Sequence, residues 1–254
     1  MQTAGKTGLY PEYLVETCRN YEYFLMSGFD TVIALTHDDQ KRIQEAVPGT
    51  EVIVSPFPVL TTDKKAGNTT EWAPEKLVFL GSEYHRPNKD GVEWFITGIL
   101  PLVKHAGIKL FITGVWSEET KLKYSMNPAI IFTGFVDDLS ELVKNGIGIV
   151  PVRIGGGGIR SKIIESMSFG LPVITTRLGV AGVLAENDRE ILIRNTEKDF
   201  ADAIDWVIDH TDASRQIIKN GLDIIHSHYT YEVTGRQKLE FLNKSLEQKA
   251  MLHG

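Results

Sequence analysis

The richest chemistry lies in Gly155-Gly156-Gly157-Gly158-Ile159-Arg160-Ser161-Lys162-Ile163-Ile164-Glu165-Ser166-Met167, directly after the apolar run 147–151. A strand, a glycine loop and a helix in that order suit an anion. Glycines let the chain take φ > 0 and bring main-chain N–H groups against a ligand, and the helix adds its positive end. The amides of Gly156, Gly157 and Gly158, with Arg160 and Lys162, could cradle a pyrophosphate, and a carboxylate such as Glu165 suits the two hydroxyls of a ribose. Helical spacing puts Ile159, Ile163, Ile164 and Met167 on one apolar face and Lys162 and Glu165 on the opposite side. Two plainer readings compete: a flexible turn for the glycines, and an i,i+3 ion pair on a solvated face for Lys162 and Glu165. Four successive glycines are costly to order, which argues against the first. The run is not a Walker A loop, since no Gly-Lys-Ser/Thr closes it, and Arg160 stands where a G-x-G-x-x-G begun at Gly155 needs its third glycine.

Two further loops carry polar or aromatic groups. Gly81-Ser82-Glu83-Tyr84-His85-Arg86-Pro87-Asn88-Lys89-Asp90-Gly91 follows the run 76–80 and is expected to open a helix at Asn88 or Asp90, both good N-caps. His85, Arg86 and Lys89 could reach a diphosphate, although each alone reads more readily as a surface charge. In Gly134-Phe135-Val136-Asp137-Asp138, Phe135 and its neighbours could cover a base, while Asp137 or Asp138 could simply cap a helix at 138–144. The other histidines show no metal spacing; His226-x-His228 has an offset that fits a strand, but its segment reads as helix. No G-x-S-x-G elbow or Cys/His arrangement points to acyl transfer.

These loops need a scaffold, and the apolar pattern supplies one. Short runs at 30–35, 51–54, 76–80, 108–113, 129–133, 147–151, 172–175 and 190–193 alternate with helical spacing at 12–27, 37–46, 89–105, 117–125, 138–144, 160–169, 198–210, 213–227 and 230–249. That alternation predicts βαβ units and an α/β fold with a doubly wound parallel sheet, whose strands are covered on both faces. In such a sheet ligands sit beyond the carboxyl ends of the strands, so all three loops share one rim. The stretch from Pro56 to Pro74 has linker chemistry, and the two strands and two helices before it are too few for a complete domain.

Composition bounds the function classes. The chain has 254 residues, 42% of them hydrophobic, a net charge of −6 and a single cysteine, Cys18. That balance suits a globular protein and has the wrong sign for a global footprint on nucleic acid. One cysteine excludes an intrachain disulfide and a thiolate zinc site, and favours a reducing compartment. No apolar stretch reaches the roughly 18 residues of a spanning helix, and Met1 to Pro11 has no secretory h-region.

Four motifs in order resemble the donor-binding half of the glycosyl transferases group 1 family, which has the GT-B fold. They are Val78-Phe79-Leu80-Gly81-Ser82 with Arg86-Pro87-Asn88, then Phe132-Thr133-Gly134-Phe135-Val136-Asp137-Asp138-Leu139, then Gly156 to Thr176, and finally Gly179-Val180-Ala181-Gly182. Phe29 to Thr36 and Glu51 to Pro58 resemble the last strands of that family's N-terminal, acceptor-binding domain. The resemblance implies a remnant of that domain at 1–57, a linker at 58–74, a Rossmann-like donor-binding domain at 75–228 and a C-terminal helix at 229–254 that crosses back toward the first domain.

The activity implied is a retaining, metal-independent glycosyltransferase of the hexosyltransferase type. It uses a nucleotide-diphosphate-sugar as donor substrate with no further cofactor, and passes the sugar to a glycan or lipid-linked acceptor. Polysaccharide biosynthesis is the expected setting. The same resemblance makes the chain a truncated donor-binding part, weak or inactive alone, whose partner is the missing acceptor domain or a separate chain. It also implies a cytoplasmic protein, with peripheral attachment to the inner membrane face left open, and no nucleic-acid partner or integral membrane segment.

Carried over by position, Glu165 holds the donor ribose, Arg160 and Lys162 take the diphosphate, and the donor is lined by Gly81, Ser82, Arg86, Asn88, Lys89, Phe135, Val136, Gly156, Gly157, Gly158, Gly179 and Val180. Two departures stand out. The first glutamate of the family's E-x7-E pattern falls on Gly157, and Ser82 occupies the place of a phosphate-binding arginine, with Asn88 and Lys89 near that of its partner lysine. A nucleotide-sugar epimerase on the same fold and a noncatalytic nucleotide-binding subunit are the alternatives. A nicotinamide dehydrogenase fits less well, because its glycines should follow the first strand of the sheet.

Overall fold

The computed structural model describes residues 12–59, 71–105, 107–155 and 158–253. A first unit comprises helix α1 (Glu12–Met26), strand β1 (Thr31–Ala34), helix α2 (His37–Ala46) and strand β2 (Glu51–Val54). Thr36 caps α2, its Oγ1 accepting from the Asp39 amide at 3.0 Å. β1 and β2 pair in parallel, Thr31 opposite Glu51, as a two-stranded sheet.

The second unit is built on a six-stranded parallel sheet: β3 (Lys76–Phe79), β4 (Lys109–Thr113), β5 (Ile130–Gly134), β6 (Gly146–Val150), β7 (Val173–Thr175) and β8 (Leu192–Ile193). Their spatial order is β5-β4-β3-β6-β7-β8. Counted from β3, that is the 3-2-1-4-5-6 order of doubly wound sheets, and the order reverses between β3 and β6. Both faces are covered: every residue of β6 is buried, which accounts for its unbroken apolar run.

On one face Leu77, Leu110, Ile112 and Ile147 pack with Phe95 and with Phe200 of helix α7 (Glu197–Asp209). On the other, Val150 and Val173 pack with Ile163, Ile164 and Met167 of helix α6 (Ser161–Ser168) and with Ile225 of helix α8 (Thr211–His228). Helix α9 (Tyr231–His253) follows. No described helix is long and apolar enough to cross a membrane.

The expected helix at 89–105 differs in two respects. Helix α3 (Arg86–Trp94) begins earlier, with His85 at the N-cap and Pro87 in its first turn. It then widens into a π turn (Phe95–Ile99) and tightens into a 3-10 turn (Leu100–Leu102). Pro101 has no N–H to donate back into an α-helix, which accounts for the irregular end. Between β4 and β5 lies helix α4 (Glu118–Tyr124), N-capped by Ser117, whose Oγ accepts from the Thr120 amide. The helix expected at 138–144 shrinks to α5 (Ser140–Val143), with Leu139 at its N-cap; Asp138 instead accepts the Ser140 amide at 2.9 Å.

The first unit leaves much apolar surface outside. Helix α1 buries no residue, and Tyr13, Tyr21, Phe24 and Phe29 are all more than 60% exposed. The two units touch where Gly182 meets Thr36: a Cβ on Gly182 would lie 2.5 Å from the Thr36 methyl carbon.

Candidate functional site

Three successive strands lead into a glycine at a positive φ: Gly81 two residues past β3, Gly114 directly after β4 and Gly134 as the last residue of β5. Two of these turns interlock. A Cβ on Gly114 would lie 2.8 Å from the backbone carbon of Gly81, and one on Gly81 would lie 2.6 Å from Asn88 Nδ2 and 3.2 Å from Lys162 Nζ. A larger residue at Gly114 would require a shift of the backbone, and one at Gly81 would displace the side chains of Asn88 and Lys162. The three turns with the start of α6 enclose a crevice of about 520 Å³ at the carboxyl ends of β3 to β6, where the strand order reverses.

The crevice brings together Gly81, Asn88, Phe135, Val136, Arg160, Lys162 and Glu165, all expected from the sequence to line one site. Arg160 occupies the N-cap of α6, and its Nη1 donates to the Gly158 carbonyl at 3.1 Å. Burial pushes its pKa down, but an arginine starts so high that it stays cationic at neutral pH.

Lys162 does not stand on a solvated face, the plainer of its two sequence readings. Its side chain turns into the crevice, with Nζ on Asn88 Oδ1 and 4.7 Å from the centre of the Phe79 ring. Burial, reinforced by the Arg160 charge, brings its pKa from 10.5 to about 8, against a smaller opposite pull from Glu165. Phe135 stands at the rim, 76% exposed.

Asn88 likewise departs from the expected N-cap. It is buried inside the first turn of α3, where its Nδ2 donates to the Ser82 carbonyl at 2.8 Å. Of the β3 loop, Ser82 therefore contributes a main-chain carbonyl to Asn88, and Arg86 is exposed. Lys89 pairs with Glu83 at 2.7 Å. Burial pushes the Glu83 carboxyl up, but bonds from Lys89, the Ser117 amide and Thr120 outweigh it and bring the pKa down to about 2. These three residues do not line the crevice.

Gly179 and Val180 are also elsewhere, in the packed turn after β7. There the Gly179 amide donates to Thr176 Oγ1 at 2.9 Å, and Val180 joins the core. Gly158 faces a separate hollow shared with α1 and α2, while Gly156 and Gly157 lie outside the described residues.

The structure adds lining residues beyond the expected set, namely Thr113, Gly114, Leu80, Leu139, Ile159 and Ser161, and His85 of the β3 loop lines the crevice as its sequence position suggested. The first two have a legible signal in hindsight. Thr113-Gly114-Val115 repeats the strand-then-glycine pattern of Leu80-Gly81-Ser82 and Thr133-Gly134-Phe135. Among the described residues, no group of three histidine, cysteine or carboxylate side chains could hold a metal ion.

The doubly wound sheet carries a cationic helix start, a carboxylate one turn along and an aromatic lip at its switch point, the place where open α/β sheets hold their ligands. The sequence pattern of glycosyl transferases group 1 matches residues 74–210, more than half of the chain, and the chain belongs to that family. The fold is that of the GT-B glycosyltransferases. Staphylococcus aureus TarM superposes with a TM-score of 0.72 at 16% identity, over 89% of this chain and 46% of that one. Anabaena HepE in complex with UDP and glucose gives 0.69 at 17%, over 92% and 69%. An uncharacterized 44.6 kDa protein of the Klebsiella pneumoniae cps region is 24% identical over 216 residues, which are 80% of this chain and 53% of that protein. The chain thus spans about half the length of the curated relative it matches.

Proposed function

We propose that the crevice is the donor site of a glycosyltransferase and holds a nucleotide-diphosphate-sugar. The observation that carries this reading is the convergence of Arg160, Lys162 and Glu165 on one turn of helix at the switch point, opposite Phe135. Arg160, Lys162 and the α6 N-terminus face the diphosphate, Glu165 takes the ribose hydroxyls and Phe135 covers the base. HepE, of the same fold, holds UDP and glucose.

Charge grows on the diphosphate as the bond to the sugar breaks. Fixed positive groups then stabilise the transition state more than the bound donor and take the place of a metal, while retention of configuration rests on the family resemblance alone. Among the described lining residues Glu165 is the only carboxylate, and the group that activates an acceptor is assigned to a second body. That body is the rest of the acceptor domain, or a partner chain carrying it. It covers the apolar outside of α1 and β1, and alone the chain binds donor but transfers poorly. Because the relatives include a protein of a cps region, the acceptor is a growing glycan or its lipid-linked precursor.

The test is calorimetric titration of the chain with UDP, GDP, ADP and their sugars, with and without a chelator, repeated on Glu165→Ala. Binding of one nucleotide that survives chelation and weakens in the variant is expected. Absence of binding by every nucleotide would refute the donor-site reading.

A further inference from the structure

The contact between Asn88 and Lys162 joins two elements 74 residues apart in sequence, and nothing in the nucleotide-binding role of either requires it. Asn88 belongs to α3, beyond the carboxyl end of β3, and Lys162 to α6, beyond that of β6; the two strands flank the switch point. Asn88 is not free to rotate. It is buried, and its amide group is fixed by the Ser82 carbonyl at 2.8 Å, which leaves the carbonyl oxygen aimed at Lys162. On its other side the Lys162 ammonium lies over the Phe79 ring, 4.7 Å from the centroid, and Gly81 leaves no room for a side chain beside it. A long, flexible lysine is thereby held in one place, at the entropic cost that four rotatable bonds carry.

We propose that Asn88 is a positioning residue, whose carboxamide, anchored on Ser82, holds the Lys162 ammonium ready for a diphosphate and couples diphosphate binding to proton uptake by Lys162. This rests on the reading of the crevice as a diphosphate site. Asn88 thus acts on the ligand through Lys162 rather than by touching it.

The coupling follows from the surroundings. Burial and the neighbouring Arg160 bring the Lys162 pKa to about 8, so near that pH the free protein holds about half a proton there. An incoming diphosphate brings negative charge to within contact of the ammonium and draws the missing proton from solvent. The charged or titratable groups facing Lys162 from the surrounding elements are His85 from the β3 rim, Arg160 ahead of α6 and Glu165 on α6. The β4 and β5 rims bring Thr113, Gly114, Phe135 and Val136, none of which titrates in this range. His85 Nδ1 lies 3.5 Å from Asn88 Oδ1, and the Lys162→Met control separates its signal from that of Lys162.

The experiment has two arms. In the first, the ligand-free chain with 13C-labelled lysine is titrated by NMR from pH 7 to 10.5, with Lys162→Met identifying the signal. Asn88→Asp is expected to raise the Lys162 midpoint by about one unit or more, because a carboxylate replaces a neutral acceptor, whereas Asn88→Ala is expected to lower it. The near-isosteric Asn88→Asp carries the test should Asn88→Ala fail to fold. A midpoint that stays where it is in Asn88→Asp would overturn the positioning role.

In the second arm, UDP and GDP, whose phosphates are fully ionised at that pH and carry no proton of their own to release, are titrated at pH 8 in two buffers of different ionisation enthalpy. Uptake of roughly half a proton is expected for the natural chain, and close to none for Asn88→Asp, whose Lys162 is already charged. Binding without proton uptake in the natural chain would refute the coupling. If the NMR midpoint moves but neither probe binds, Asn88 does hold Lys162 and the donor-site reading fails instead.

Discussion

Replacing Lys162 by Met should make the ligand-free protein more stable at pH 7. In the folded chain the ammonium is driven down to about 8 by burial and by Arg160, while in the unfolded chain it returns to its ordinary 10.5. At neutral pH both states are protonated, and the folded one pays for a charge it disfavours. At about 1.4 kcal/mol per pH unit, the cost between those two values approaches about 3 kcal/mol. Methionine fills a similar volume without the charge, but it strands the Asn88 carbonyl oxygen at a cost of about 1 kcal/mol. A net gain of about 2 kcal/mol is therefore expected from urea unfolding at pH 7.

The pH dependence supplies the sharper test. Between pH 8 and 10.5 the unfolded chain holds a proton that folded Lys162 has released, so raising the pH favours folding of the natural protein. Relative to Lys162→Met, its deficit is full below pH 8 and disappears by 10.5, and other titrating groups cancel in the difference. A variant that is less stable at pH 7, or a stability difference flat from pH 7 to 10.5, would refute the reasoning. The wider point is that a binding site keeps a residue the apo fold would rather lose.

Further outcomes follow from the same geometry. Glu165→Ala is expected to weaken the bound nucleotide about tenfold to a hundredfold in calorimetry, through loss of charge-assisted bonds to the ribose, with a smaller loss toward the matching deoxyribonucleotide. Phe135→Ala should cost the same nucleotide about fivefold in affinity, while the melting temperature stays put, because that ring is 76% exposed. Gly114→Ala places a methyl 2.8 Å from the Gly81 backbone at a φ of +87°, and should destabilise by about 2–5 kcal/mol in denaturant titration. The apolar outside of α1, with Phe24 at 72% exposure, should make the isolated chain self-associate in light scattering, and Phe24→Glu should reduce it.

Much of the fold was legible because its signals are local. Each of the eight strands is a short apolar run at its expected place, and each helix is found near its predicted span, since periodicity and turn residues are read along the chain. The glycine loop, the helix behind it and the trio Arg160, Lys162 and Glu165 announce themselves in the same way, within one stretch of sequence. The single helix expected at 89–105 ran through Pro101, and the π and 3-10 turns found there, where Trp94 and Phe95 pack on Phe200, have no signal in the apolar spacing.

What the tertiary structure alone decided is how side chains from distant elements meet. Helical spacing assigns Lys162 to a polar face, but only the approach of the first turns of α3 and α6 at the switch point puts Asn88 in its path, so that a nominal N-cap becomes a buried anchor. The same holds for Lys89, which Glu83 and α4 draw away from the crevice, and for Gly179 and Val180, which the core claims. Sequence determines what a residue can do chemically and which face of its own element it occupies. Its neighbours across the sheet are set by strand order, a long-range property that no local pattern encodes.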